Sequence, residues 1–338
     1  MGVSCSCNED ACCAAGQKNR DVKLPNLFED GSSETESVIN DSDVFPEGRR
    51  PSRTKYCFAV DDSLHETIPY FEREKEELET ILQYGGGILS GVPYHFQSGA
   101  TYTGQWDFNT RDGYGKQVWM DGATYEGQFE KNYACGMGRF THSDGDVYVG
   151  QWSDNQAHGL GTYYHKGSVV YQGEWRNDVQ EGYGVETWDE DEATGYAGLF
   201  KSGKKVGWGC FSWNGNSEYS GRWEVNVING EGEYTASDGR RFQGQWKDAM
   251  IHGIGQYRWP EGLEYSGHYL KNNKHGFGIF RFGDGRIYKG FWSNGKQHGH
   301  GRYSKDGVTE CGFWTDGHRR RKESHQDAEN SVSKKVLR

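Results

Sequence analysis

Aromatic and glycine positions alternate along this chain in a fixed phase. In Tyr102, Gly104 and Trp106 the named residues are i, i+2 and i+4, with Thr103 and Gln105 between them, so an extended strand here has one aromatic face and one polar face. The same aromatic-x-Gly-x-aromatic pattern starts again at Tyr125, Tyr148, Tyr171, Tyr196, Tyr219, Phe242, Tyr265 and Tyr288, at steps of 23 residues except one of 25. Glu310, Cys311, Gly312, Phe313 and Trp314 form a decayed further copy. Each full copy leads into a Gly-x-Gly, from Gly113 and Gly115 through to Gly299 and Gly301, and many reach an Asp-Gly such as Asp121-Gly122 or Asp284-Gly285. Second strands repeat the pattern, as in Gly138 and Phe140 or Gly161 and Tyr163. The period predicts one β-hairpin per repeat, with glycine leaving room for rings from the neighbouring strand and Asp-Gly supplying the positive φ of tight turns. The architecture expected is all-β, an elongated single antiparallel sheet of stacked hairpins over residues 85–317.

Composition shows what such a sheet is made of. Of 338 residues 50 are Gly, 14% are aromatic and only 33% are hydrophobic, so the core must be a stack of rings rather than an aliphatic interior. Mean hydropathy is −0.94, and no apolar run approaches the ~18 residues of a spanning helix, which leaves only peripheral membrane contact. The net charge of −11 argues against a nucleic-acid-binding face, because phosphate contacts need a basic one. Charge is uneven: residues 1–62 carry −5, residues 318–338 carry +4, and the body between them −10. The basic cluster Arg319, Arg320, Arg321 and Lys322 reads either as a solvated tail or as a contact with anionic lipid or an acidic partner.

At these residues the chain resembles a MORN-repeat array: Tyr-x-Gly-x-Trp, a short loop ending in Gly-x-Gly, then an Asp-Gly turn. The resemblance spans about residues 99–316. Phe129, Phe200 and Tyr269 stand where Trp is usual and Phe242 where Tyr is usual, and the acidic stretch Asp189 to Glu192 holds a two-residue insertion expected to bulge a turn. The repeat-face aromatics are Tyr102, Trp106, Tyr125, Tyr148, Trp152, Tyr171, Trp175, Tyr219, Trp223, Trp246, Tyr265, Tyr288 and Trp292. That resemblance implies a single-sheet groove used for protein contacts, homodimerisation or membrane-proximal anchoring; it does not imply catalysis, and no cofactor is expected.

The ends carry separate signals. Met1, Gly2, Val3, Ser4, Cys5, Ser6 fits the pattern for N-myristoylation at Gly2, and Cys5 and Cys7, with Cys12 and Cys13 as further candidates, are placed for S-palmitoylation. One myristoyl chain binds a bilayer only marginally, with K on the order of 10⁴ M⁻¹, so a second chain on these thiols would make attachment stable. Zinc is disfavoured because Cys5-x-Cys7 and Cys12-Cys13 lack the usual ligand spacing, and unmodified cysteines remain the plain alternative. Residues 1–16 thus read as a membrane anchor and 17–62, polar and acidic, as a disordered tether. From residue 63 to 84 one amphipathic helix is expected, with Phe71, Leu78, Ile81 and Leu82 on one face and Gly85 to Gly87 stopping it. It reads as a cap on the first hairpin or as a partner-binding helix. Residues 318–338 form the basic tail.

Enzymatic readings find no domain to occupy. Gly-x-Gly recurs without the third glycine or the βαβ setting of a nucleotide loop. His252, His275 and His298 recur at 23-residue steps but lie two strand spacings apart, too far to share a metal ion, and read as edge-loop residues. Cys135 and Cys210 read as buried packing residues. The function expected is a non-enzymatic scaffold, tethered by acyl chains to the cytoplasmic face of a membrane and binding a protein partner through the array, with a link to the cytoskeleton. The alternatives are a structural part of a ciliary or cortical cytoskeletal assembly, and direct phospholipid binding by the repeats.

Overall fold

The computed structural model describes residues 70–166, 169–188, 194–213 and 216–320. These fall into two compact units, residues 70–237 and 238–320. The first opens with a 3-10 turn (Tyr70–Glu72), helix α1 (Lys75–Tyr84) and a two-residue strand β1 (Tyr94–His95). Six hairpins follow, from β2 (Thr101–Asp107) and β3 (Thr110–Val118) to β12 (Ser217–Glu224) and β13 (Val227–Thr235). The second unit runs from β14 (Arg241–Lys247) to β21 (His318–Arg319). Within each unit every strand pairs antiparallel with the next, so the all-β, stacked-hairpin reading of the sequence is what the structure shows.

The third repeat shows why these residues make hairpins. In β6 (Val147–Ser153) and β7 (Gln156–His165), Gly150 pairs with Gly161, and the register slips between Gly150 and Trp152. Gly159, at φ 83°, takes up that slip as the left-handed residue of a bulge. Gly150 serves a different end: a Cβ there would stand 2.5 Å from Gly161 Cα and 2.7 Å from the Tyr148 hydroxyl. The Tyr148 ring therefore lies flat across two bare backbones, and its hydroxyl donates to Gln151 O at 2.9 Å. Trp152 and Trp175 meet that ring edge-on, at 5.3 and 5.2 Å, the geometry that aromatic quadrupoles prefer. Each tyrosine is thus wedged between the tryptophan-position ring of its own repeat and that of the next, as Tyr125 is between Phe129 and Trp152 and Tyr288 between Trp292 and Trp314.

The expected Asp-Gly turns have positive φ and join successive repeats: Asp121 Oδ1 accepts from Ala123 N and Gly122 has φ 88°. A second set closes each hairpin with two positive-φ residues, such as Phe108 and Asn109, Lys131 and Asn132, or Val225 and Asn226, the sign pattern of a type I′ turn. The second residue also clasps the preceding hairpin. Asn155 donates its N–H to Ala134 O at 3.1 Å and accepts from Ala134 N on Oδ1 at 2.7 Å. The same two-way clasp joins Asn132 to Arg111, Asp178 to Ala157, Asn226 to Lys205 and Asn272 to Ile251. The insertion at Asp189 to Glu192 lies outside the described residues.

The 70–84 segment packs on the first hairpin and reaches further, over the aromatic face of the first three repeats. Phe71 is buried among Trp119, Tyr125 and Trp152 at ring distances of 5.3, 5.3 and 5.9 Å. Glu74, also buried, accepts from Gln117 Nε2 at 2.9 Å, Trp119 Nε1 at 3.2 Å and Ser98 Oγ at 2.7 Å. Glu77 holds Tyr94 and the Gln97 N–H. Those two carboxylates fix a rotation that buries Leu78 and Ile81 and leaves Leu82 exposed, contrary to its expected place on the apolar face.

Candidate interaction surface

In both units one face of the sheet is closed. All the repeat-face aromatics named above are buried except Trp106, which is half-buried. Eight tyrosines, including Tyr102, Tyr125, Tyr171, Tyr219 and Tyr265, spend their hydroxyls on the backbone carbonyl three residues on. Trp152, Trp175, Trp223 and Trp292 donate their indole N–H to the second glycine carbonyl of the preceding Gly-x-Gly. Rings satisfied and covered in this way cannot also grip a partner. They are the core.

Cations inside this stack sit at one repeated position. Arg111, Lys205 and Lys274 occupy the site filled by Ala134, Ala157, Ile228 and Ile251 in other repeats. Lys205 Nζ meets Glu186 at 2.6 Å and lies over Trp188 at 4.9 Å, while Lys274 Nζ lies 4.6 Å from the Phe280 ring centre and 5.2 Å from that of Trp292. Arg111, wholly buried, bonds Gln117 and donates to Asn132 O, and burial lowers its pKa to about 10. Aromatic faces and carbonyls make these cations tolerable where water is excluded. Asp146 is a further buried charge. Burial alone would raise its pKa, but His165, the Tyr163 hydroxyl and the Lys166 N–H hold it down at about 2. Asp178, half-buried, accepts from Ala157 N, but desolvation outweighs that bond and pushes its pKa up to about 6.

The opposite face is open and is not simply polar, as the alternation suggested. At the centre of the first five Gly-x-Gly motifs a large apolar side chain points outward: Tyr114, Met137, Leu160, Tyr183 and Trp208, each at least 55% exposed. Glu231 interrupts the row. In the second unit Ile254 and Phe277 hold the same position, joined by Phe291 and Phe313. Beside Leu160 a shallow hollow of about 350 Å³ is lined by Arg139, Val147, Val149, Thr162 and Tyr164. Large exposed apolar residues in a row mark a contact surface. The signal was present in the sequence, as the residue between the paired glycines.

Other expected site residues fall as follows. Gly2, Cys5, Cys7, Cys12, Cys13, Arg321 and Lys322 lie outside the described residues. Arg319 folds back over the last repeat, bonding Glu310 and donating to Cys311 O at 3.1 Å, with its guanidinium 5.6 Å from the Trp314 ring centre. Since Glu310 takes the place of the repeat tyrosine, Arg319 fills the space above Gly312 that a ring fills elsewhere. Arg320 points outward and donates to Thr315 Oγ1. His252, His275 and His298 are half-buried within strands β15 (Met250–Arg258), β17 (Asn273–Arg281) and β19 (Lys296–Lys305) rather than in edge loops, because the second strand of each hairpin begins before its Gly-x-Gly. Among the described residues no group of His, Cys, Asp or Glu is placed to hold a metal ion. Cys135 and Cys210 are half-buried rather than buried; burial and the nearby Glu218 carboxylate push the Cys210 thiol up to about 12.

Nine segments, residues 102–124, 125–147, 148–169, 171–190, 196–218, 219–240, 242–264, 265–285 and 288–309, match the family model of the MORN repeat. Comparison with curated protein sequences gave no match. Among solved structures the chain is similar to the G-box domain of the microcephaly protein CPAP, at 12% identity over 60% of this chain and 100% of that one, with a TM-score of 0.35. It is also similar to a mutant TCP10 domain of Danio rerio CPAP, at 8% identity over 60% and 94%, with a TM-score of 0.36.

Proposed function

The chain belongs to the MORN-repeat family, and from that membership and the open face we propose a non-enzymatic scaffold that binds a protein partner on the outer row while N-terminal acyl chains hold it at the cytoplasmic face of a membrane. Proteins of this family are generally binding or scaffold proteins rather than enzymes. The observation that carries the partner half is the row Tyr114, Met137, Leu160, Tyr183 and Trp208, apolar side chains left in water on a sheet whose other face is closed. The anchor half rests on Gly2 beside Cys5 and Cys7. Cell fractionation tests it. Gly2→Ala should move the protein to the soluble fraction, and Cys5→Ser with Cys7→Ser should leave weak, reversible attachment, since one chain remains. A Gly2→Ala protein that stays fully membrane-bound overturns the anchor.

A further inference from the structure

On the outer face of the second unit, Lys289 of β18 (Ile287–Ser293) stands directly opposite Arg302 of β19. Like charges facing each other across an antiparallel pair are destabilising. Nothing on that rung relieves them: it continues as Ile279 on one side and Cys311 on the other. Among the described residues neither cation forms an ion pair. Both line an open cavity of about 1120 Å³, together with Arg320 and the exposed rings of Phe277 and Phe313. The one carboxylate at its border, Glu310, is already neutralised by Arg319. Three uncompensated cations thus converge on an apolar floor, in a chain whose body is strongly acidic.

We infer that Lys289, Arg302 and Arg320 bind the phosphate of a ligand whose apolar or ring-bearing part lies on Phe277 and Phe313. A phosphate monoester carries nearly two negative charges and three acceptor oxygens, which suits two adjacent cations and the planar fork of an arginine, whereas a single carboxylate would leave the site positive. An anion seated there turns the Lys289–Arg302 repulsion into attraction. The site lies in the second unit and does not depend on the partner proposed for the apolar row of the first.

The test uses the unacylated full chain in low-salt buffer free of phosphate. Without ligand, the double variant Lys289→Gln, Arg302→Gln should melt at the same temperature as the parent or higher, because a repulsion has been removed. Millimolar ATP should raise the parent's midpoint and leave the variant's unchanged, with binding weakened at least tenfold in the variant. Pyrophosphate, which has no ring, should bind less tightly than ATP, and Phe277→Ser with Phe313→Ser should abolish that difference. Flotation with phosphatidylcholine vesicles containing a phosphoinositide separates the sources. Binding to soluble anions puts the phosphate on a free ligand, and binding to vesicles alone, again lost in the double variant, puts it on a lipid headgroup. The proposal is overturned if the parent binds none of the three, or if the double variant binds them as the parent does.

Discussion

Tyr148 and Leu160 lie on neighbouring strands of one hairpin and meet opposite fates. The tyrosine is wholly buried on the inner face, its ring laid over two glycines and its hydroxyl spent on Gln151 O. The leucine is 63% exposed on the outer face. The contrast recurs in the first five repeats, and it shows that the aromatic signature of this family is a device for building a core in a one-layer sheet. The residues between the glycines, which the signature leaves free to vary, are the ones that face outward. The inner face also explains its own exceptions: where a cation enters the stack, as Arg111 and Lys205 do, carbonyls, a carboxylate or ring faces meet it.

The contrast breaks most readily on the inner side. Gly150→Val places two methyl groups into the Gly161 backbone and the Tyr148 ring, where neither can retreat, and should destabilise by about 3 kcal/mol in chemical denaturation. Next comes Asp178, the one charged residue at a clasp position that Asn132, Asn155, Asn226 and Asn272 fill elsewhere. Its folded pKa of about 6 lies above the ordinary carboxylate value, so folding is penalised once the pH rises above that ordinary value, and the penalty is complete above pH 6. Asp178→Asn keeps the acceptor and removes the charge. It should stabilise by roughly 2 kcal/mol at pH 7.5 and by almost nothing near pH 3.5, and equal gains at both pH values would contradict the assignment. Smaller again is Tyr269, which stands at a tryptophan position with its hydroxyl buried and unbonded. Tyr269→Phe should raise the thermal midpoint by an amount equivalent to about 1 kcal/mol.

Much of this could be read from the chain. The 23-residue step, the aromatic face and the need for glycine opposite each ring all follow from strand periodicity, and the structure places them as expected. The hairpin turns were half legible: Phe108, Lys131 and Val225 do not favour positive φ, but the residue after each is Asn, and Asp154-Asn155, Asn177-Asp178 and Asn294-Gly295 are turn-forming pairs; what local sequence does not show is the clasp to the preceding hairpin. Arg111, Lys205 and Lys274 look like surface residues, and only their place in the repeat sends them inward. Helical spacing puts Phe71 on a buried face but does not reveal its neighbours, since Trp119 and Trp152 are far away in sequence. The outer row was in plain view, yet a single residue between two glycines reads as spacer until the face it points to is known.

The claim that the inner face holds the fold and the outer row holds the partner is tested most directly by proximity labelling in cells with the row removed: Met137→Ser, Leu160→Ser, Tyr183→Ser and Trp208→Ser in one full-length protein. The account predicts that this variant keeps the parent's denaturation midpoint and its membrane attachment, and loses the parent's labelled neighbours. A variant that folds, reaches the membrane and still labels the same neighbours would contradict it.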